Sequence, residues 1–477
     1  MNTDIFDTES FENEAEFLRT CPDYPFFAID LFCGAGGETT GMELARKDGR
    51  KLTKVFACVN HDPNAIESHK ANYAADTLHF LEDIRTLETG GLRRMVDIIK
   101  GHHPSSKIIL HASCECTNFS RAKGGLPRDP DSRTLPEHLY RYIEAIDPDY
   151  VTVENVTELT LWEDSDGVLP PSGKYGRKYL QWVENIKSFG YNYDFRILNA
   201  ADFGAYTSRN RYFGVFAKDG LPINFPEPTH SKKPQTGLFG ETKPWKPVKD
   251  VLDLKDEGES IFTRKKPLVD ATLRRVRAGL EKFVEKNQSV FLVKNYSGDN
   301  KSKCISIEGP AGTVTCKDHH SLVKVQFLDQ QYGNGTPASI DTACGTLTTN
   351  PKQNLVTVNY LMTAGWSWPI SSIEKPCPTV VASQDKSPIY LVSVETGERL
   401  SHRESDTATM KDLKTYCRDN GIADVKMRML KVEELLAIMG FPKDYKLVGT
   451  VSEAKKYIGN AVEVGIARQL MQALASA

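Results

Sequence analysis

The sequence predicts an α/β protein: a mostly parallel sheet with helices on both faces, followed by a β-rich insertion. Three observations carry that prediction. Between Pro25 and about Lys218, short apolar runs alternate with amphipathic stretches. The turns that follow those runs concentrate glycine, cysteine, carboxylate and amide side chains. Beyond Asp219 the texture changes to proline-rich and then Thr/Val-rich sequence.

The runs "FFAIDLF", "KVFACVN", "KIILHAS", "DYVTVENV", "YDFRILNA" and "RYFGVFA" are expected to be strands. Between them "TTGMELARK", "PNAIESHKANY", "GLRRMVDIIKGH", "LPEHLYRYIEAI" and "KYLQWVENIKSFG" space their apolar residues as helices do. Ligands of parallel sheets lie at the carboxyl ends of the strands. The turns "CGAGG", "NHDP", "SCECTNFS" and "ENV" would therefore share one rim. The stretch "LPINFPEPTHSKKPQTGLFGETKPWKP" reads as a linker or wrapping loop. After it an internal repeat begins at Ser306, Ser339 and Ser372, with Thr313, Thr346 and Thr379 in register at a constant 33-residue spacing. "VKMRMLKVEELLAIMGFPKDYKL" and "KKYIGNAVEVGIARQLMQALA" return to helical periodicity, and the last helix should pack back on the first sheet. The expected organisation is an acidic tail (1–24), a first domain (25–220), a β-rich domain of three repeats (221–424) and a closing segment (425–477).

At 477 residues the chain can bury two or three cores. No run reaches the roughly 20 apolar residues a membrane helix needs, and the acidic start does not resemble a signal peptide. A reducing, cytoplasmic setting is expected, so the ten cysteines should be mostly thiols. They include no C-x-x-C spacing, which argues against zinc; no metal is expected. The net charge of −3 is concentrated in the tail, where Asp4, Asp7, Glu9, Glu12, Glu14, Glu16 and Asp23 face Arg19 alone. The remainder is slightly basic. "TRKKP" at Thr263 and "LRRVR" at Leu273 fit either phosphate contacts or solvated faces, so charge leaves the partner open.

Gly34, Gly36 and Gly37 follow the first strand and allow either a tight structural turn or close approach of backbone to a ligand. No Lys-Ser/Thr pair follows, as a phosphate loop would require. Asp83 and Ile84, after the third strand, suit an adenine amine, and three such turns suit an adenosine cofactor without a pyrophosphate. In "SCECT" a disulfide between Cys114 and Cys116 would be strained, and the loop offers no further obvious metal ligands. A nucleophilic thiol with a partner elsewhere fits better. Glu154 closes the neighbouring strand and is that partner or, alternatively, a helix cap. Arg209 and Arg211, two apart at a strand's start, share a face and suit an anionic oxygen or a carbonyl.

Taken in order, these blocks resemble the C5-cytosine DNA methyltransferase family. "DLFCGAGG" is similar to its first motif, "CTNFS" to its catalytic loop and "ENV" to its glutamate motif. "NAADFGAYTSRNRYFGVF" resembles the arginine motif, and "RMLKVEELLAIMGFPKDY" with "YIGNAV" the two closing motifs. The resemblance implies the fold of S-adenosylmethionine-dependent methyltransferases, with the β-rich insertion as target-recognition domain. It implies duplex DNA as substrate, with the base flipped out of the stack. A prokaryotic or phage origin follows, with a cognate restriction nuclease acting separately as a further partner.

Register on Phe119 and Ser120 makes Cys116 the nucleophile and Cys114 a bystander. The resemblance further implies that Cys116 adds to C6, that Glu154 holds N3 and the exocyclic amine as general acid, and that Arg211 holds O2 while Arg209 positions the loop. Phe32, Gly34, Ala35, Gly36, Gly37, Asn60, Asp83, Ile84 and Asn460 would surround S-adenosylmethionine. The sequence departs from the family pattern at Glu115, where proline is usual, at Thr117 and Thr207, where glutamine is usual, and at Asn60, where an acid is usual. Glu115 is expected to face away from the thiol. The departures motivate a rival, a catalytically weak DNA-binding protein of this fold; a tRNA cytosine-5 methyltransferase is a second.

Overall fold

The computed structural model describes residues 16–114, 135–163, 170–171, 173–234, 236–237, 240–256, 258–284, 291–295, 304–306, 321–330, 353–363, 368–372, 389–395, 400–420, 422 and 424–476. The first sheet has seven strands: β1 (Phe26–Leu31), β2 (Thr53–Asn60), β3 (Leu78–Leu81), β4 (Lys107–Ala112), β5 (Tyr150–Asn155), β6 (Tyr191–Asn199) and β7 (Asn210–Lys218). Their order is β3-β2-β1-β4-β5-β7-β6. The first five are parallel; β7 runs antiparallel to β5, and β6 antiparallel to β7. The order reverses between β1 and β4, where a ligand crevice opens in sheets of this class.

Alternation along each strand divides the core in two. Phe27, Ile29 and Leu31 of β1 join Ile108 and Leu110 of β4 and Val151 and Val153 of β5 on one face. Three helices cover that face: α3 (Gly90–His102), α4 (Leu139–Ile146) and α5 (Arg177–Lys187), through Met95, Ile99, Ile143 and Trp182 among others. Phe26, Ala28, Val55, Ile109 and Val215 point the other way. They meet α1 (Gly37–Leu44), α2 (Pro63–Tyr73) and the C-terminal α10 (Val464–Leu474), through Met42, Ile66, Ile466 and Leu470. Gly41 permits the α1–α10 approach, since a Cβ there would collide with Ala467. The last helix is thus structurally part of the first sheet's core, some 250 residues after β7.

A second sheet of eight strands draws on residues 259–429. "LVKVQF" and "LVTVNY" lie in the strands Ser321–Gln330 and Gln353–Thr363, which pair antiparallel with Val325 opposite Val358. Of the repeat positions, Ser306 and Ser372 end the strands Cys304–Ser306 and Trp368–Ser372. Ser339 and the three threonines lie outside the described residues. One stretch departs from the helical periodicity expected of it. "VKMRM" is not helical but belongs to the strand Asp424–Met429, because Val425 and Met427 point into the core beneath the sheet. Helices Asp270–Val284 (α6) and Ala408–Asp419 (α7) close that core, which runs on into α8 (Val432–Ile438). Arg428 links the two stretches: it pairs with Glu434 through two 2.9 Å hydrogen bonds and donates to the carbonyl of Asp253 at 2.7 Å. The basic run at Leu273 is partly internal, with Leu273 and Val276 buried and Arg277 stacked 3.5 Å from the Tyr416 ring.

Candidate active site

Beyond the end of β1 the chain turns through left-handed backbone at Phe32 (φ 59°), Gly34 (52°) and Gly36 (96°). For Phe32 such a conformation is strained and persists because its surroundings hold it. The Tyr445 hydroxyl donates to the carbonyl of Ala35 and leaves no room above Gly36, where a Cβ would lie 2.5 Å from the phenol oxygen. A Cβ on Gly37 would lie 2.8 Å from the Ala461 Cβ and 2.9 Å from the Val462 carbonyl. The glycines are therefore needed for packing as well as turning. They admit the segment that follows α9 (Val451–Asn460) and so bring Asn460 to the rim.

Between these elements lies a cavity of about 280 Å³. Phe32, Gly34, Ala35, Gly37, Asn60 and Asn460 line one end, and Glu154, Arg209 and Arg211 line the other. The remaining expected cofactor residues do not line it. Gly36 backs the turn. Asp83 is engaged by Arg85, with 2.6 Å between Oδ2 and Nη2, and this hydrogen bond holds its carboxyl below the usual range. Ile84 is buried in the core under the sheet, its carbonyl accepting from Tyr142 at 2.7 Å. Cys116 lies outside the described residues, as do Glu115 and Thr117. Cys114 is described, is buried, and also lines the cavity.

The charged end is built on two strands. Glu154 sits near the end of β5, and Arg211 near the start of antiparallel β7 places its Nε 3.1 Å from the Glu154 Oε1. Burial pushes the Glu154 carboxyl above its ordinary value, against the pull of Arg211 and Arg209. Burial that raises a carboxyl favours its protonated form, so the arrangement suits general acid work. Asn155 holds the start of the cysteine loop by donating to the carbonyl of Cys114 at 3.1 Å. Behind it, His111 bonds Thr152 and Ser113, each at 2.9 Å, and burial lowers its imidazole to about 3, so it stays neutral.

Residues 26–476 match the family described as C-5 cytosine-specific DNA methylase. The chain belongs to that family. Among its relatives, the Type II methyltransferase M.XorII of Xanthomonas oryzae pv. oryzae is 31% identical over 210 residues, covering 42% of this chain and 43% of the relative. The Type II methyltransferase M1.HphI of Haemophilus parahaemolyticus is 29% identical over 227 residues, covering 46% and 52%. The chain spans about half the length of these relatives. A solved structure of a Spodoptera frugiperda DNMT2 variant is similar at a TM-score of 0.48 and 14% identity, with 94% of this chain and all of that one covered.

For this C5-methylase chain, several residues escaped the sequence reading. Asp62 caps α2 and accepts from Tyr457 at 2.9 Å and Lys456 at 3.1 Å, tying the second rim turn to α9. Cys33, Cys58 and His69 cluster beneath the glycine turn, with Cys58 Sγ 3.2 Å from His69 Nε2. Asp30 and Glu38, on either side of the glycine turn in sequence, also line the cavity, both buried. Burial lifts Asp30 to about 7 and holds Glu38 well above the carboxylate range, with Asp30 and Glu154 adding repulsion. The Asp62-Pro63 pair, a cap followed by proline at the first helical position, was a legible signal. Glu38 offered none.

Proposed function

We propose that the protein is an S-adenosylmethionine-dependent DNA (cytosine-5-)-methyltransferase acting on a cytosine flipped from duplex DNA. The observation that carries this reading is one cavity with two chemically distinct ends, a glycine-lined adenosine end and a buried Glu154–Arg211 end. The donor set fits the cofactor. Phe32 offers a ring face, Asn60 and Asn460 offer amides for hydroxyls, and Glu38 has carboxyl oxygens without hydrogen-bond partners among the described residues. S-adenosylmethionine would supply a methyl group on a cationic sulfur. Cys116 adds to C6 of the base, which loads electron density onto C5, the atom to be methylated. Glu154 donates toward N3 and stabilises the adduct, Arg211 holds O2, and Arg209 positions the loop. Loss of the C5 proton then releases the thiol.

In this reading residues 221–424 recognise the target and supply contacts that compensate the few kcal/mol of unstacking. The enzyme works in the cytoplasm of a prokaryote or phage host, beside a separately acting nuclease. No described helix is long and apolar enough to cross a membrane. The test is a duplex carrying 5-fluorocytosine, incubated with cofactor and protein. A covalent complex mapping to Cys116, lost in Cys116→Ser and retained in Cys114→Ser, is expected. An adduct on another residue, or none alongside tight DNA binding, would sink the reading.

A further inference from the structure

Glu38 is the anomaly of the cavity. Its residue exposure is 3%, and neither carboxyl oxygen has a hydrogen-bond partner among the described residues. A buried polar group without a partner carries a desolvation cost of about 1–3 kcal/mol, more if charged, and calls for an explanation. The described residues do not provide one. The closest basic atom, His111 Nδ1, is 3.8 Å away and already engaged with Thr152, while Nε2 is engaged with Ser113. Thr39, the next residue along α1, gives its hydroxyl to Asp30 at 2.6 Å, not to Glu38. Glu38 nevertheless lines the same cavity as the glycine turn and Glu154, and feels the Glu154 charge.

We propose that Glu38 is the cation-binding floor of the cavity, meeting a positively charged group of the bound cofactor, its sulfonium or its ammonium. The inference rests on the cofactor assignment above and deepens it. Glu154 already has Arg211 as its counter-charge, whereas the described residues give Glu38 no comparable one. An incoming cation would supply it and favour the ionised carboxylate. A charge-assisted contact of this kind is worth tenfold or more in affinity.

The experiment measures calorimetric dissociation constants of the full chain for S-adenosylmethionine and for its neutral thioether product, S-adenosylhomocysteine, with thermal melting alongside. Glu38→Gln should weaken S-adenosylmethionine binding about tenfold or more. If only the sulfonium ligand is affected, the contact is to sulfur; if both weaken together, it is to the shared ammonium. Glu38→Leu removes the buried carboxyl, so it should melt no lower than wild type while binding S-adenosylmethionine at least as poorly as Glu38→Gln. Binding of both ligands within about twofold of wild type in both variants overturns the inference and leaves the cofactor assignment intact. A wild-type chain that binds neither ligand overturns the cofactor assignment itself.

Discussion

The two ends of the cavity are built from different materials. At the glycine-lined end the backbone does the shaping: left-handed turns at Phe32, Gly34 and Gly36, and a close approach of residues 461–462 that only glycine at 37 permits. At the other end charged side chains act, with Glu154 and Arg211 on adjacent antiparallel strands 3.1 Å apart. A backbone-built site selects by shape and tolerates little added volume. A charge-built site selects by proton position and tolerates shape-conserving changes in folding but not in chemistry. Substitutions at the two ends should therefore separate binding from catalysis.

The largest effect is expected at the charged end. Glu154→Gln should lower single-turnover methyl transfer by about 10²–10⁴-fold while the cofactor dissociation constant stays within about twofold. Equal losses in both would erase the distinction between the ends. Next comes a buried carboxyl of the cavity wall. Asp30 is fully buried, and its folded value of about 7 lies above the ordinary 3.8. The native state therefore binds the extra proton between those values. Its contribution to stability is full below about 3.8 and is lost as pH rises through about 7, an effect on the order of a few kcal/mol. Denaturant midpoints should fall from about pH 5 to about pH 8 in wild type, and fall less in Asp30→Asn.

At the backbone end, Gly37→Ala should cost about 1–3 kcal/mol in denaturant unfolding and weaken cofactor binding in proportion. Wild-type affinity with an intact fold would show that the turn does not shape the ligand site. The smallest effect concerns Asp83, which the cofactor reading assigns to the adenine amine but which Arg85 engages in this structure. Exposed ion pairs are worth about 0.2–1 kcal/mol. Arg85→Ala should thus raise cofactor affinity about twofold if Asp83 turns to the ligand, as titration calorimetry would reveal.

Much of the first sheet was legible because its information is local. Strands such as Phe26–Leu31 and Tyr150–Asn155 are buried along their whole length, so each reads as a mainly apolar run, interrupted by Asp30 in the first and by Thr152 in the second, with polar residues at its end. The same logic misread "VKMRM", whose short alternation of buried and less buried residues suits either period when viewed alone. Asp83 was read from its place after the third strand, but a residue two positions on had already captured its carboxylate. Glu38, in the first turn of α1, looks like any acid favoured near a helix N-terminus.

The sequence by itself determined the strand–turn–helix rhythm, the residues carried on each rim turn and the order of motifs, because propensity, periodicity and turn chemistry act over a few neighbours. Tertiary structure alone decided which carboxyl groups are buried, which are paired and which are left facing the cavity. Burial and counter-charge come from elements hundreds of residues apart, as when Tyr457 reaches Asp62 or α10 closes over α1, and no local pattern encodes the distance between them.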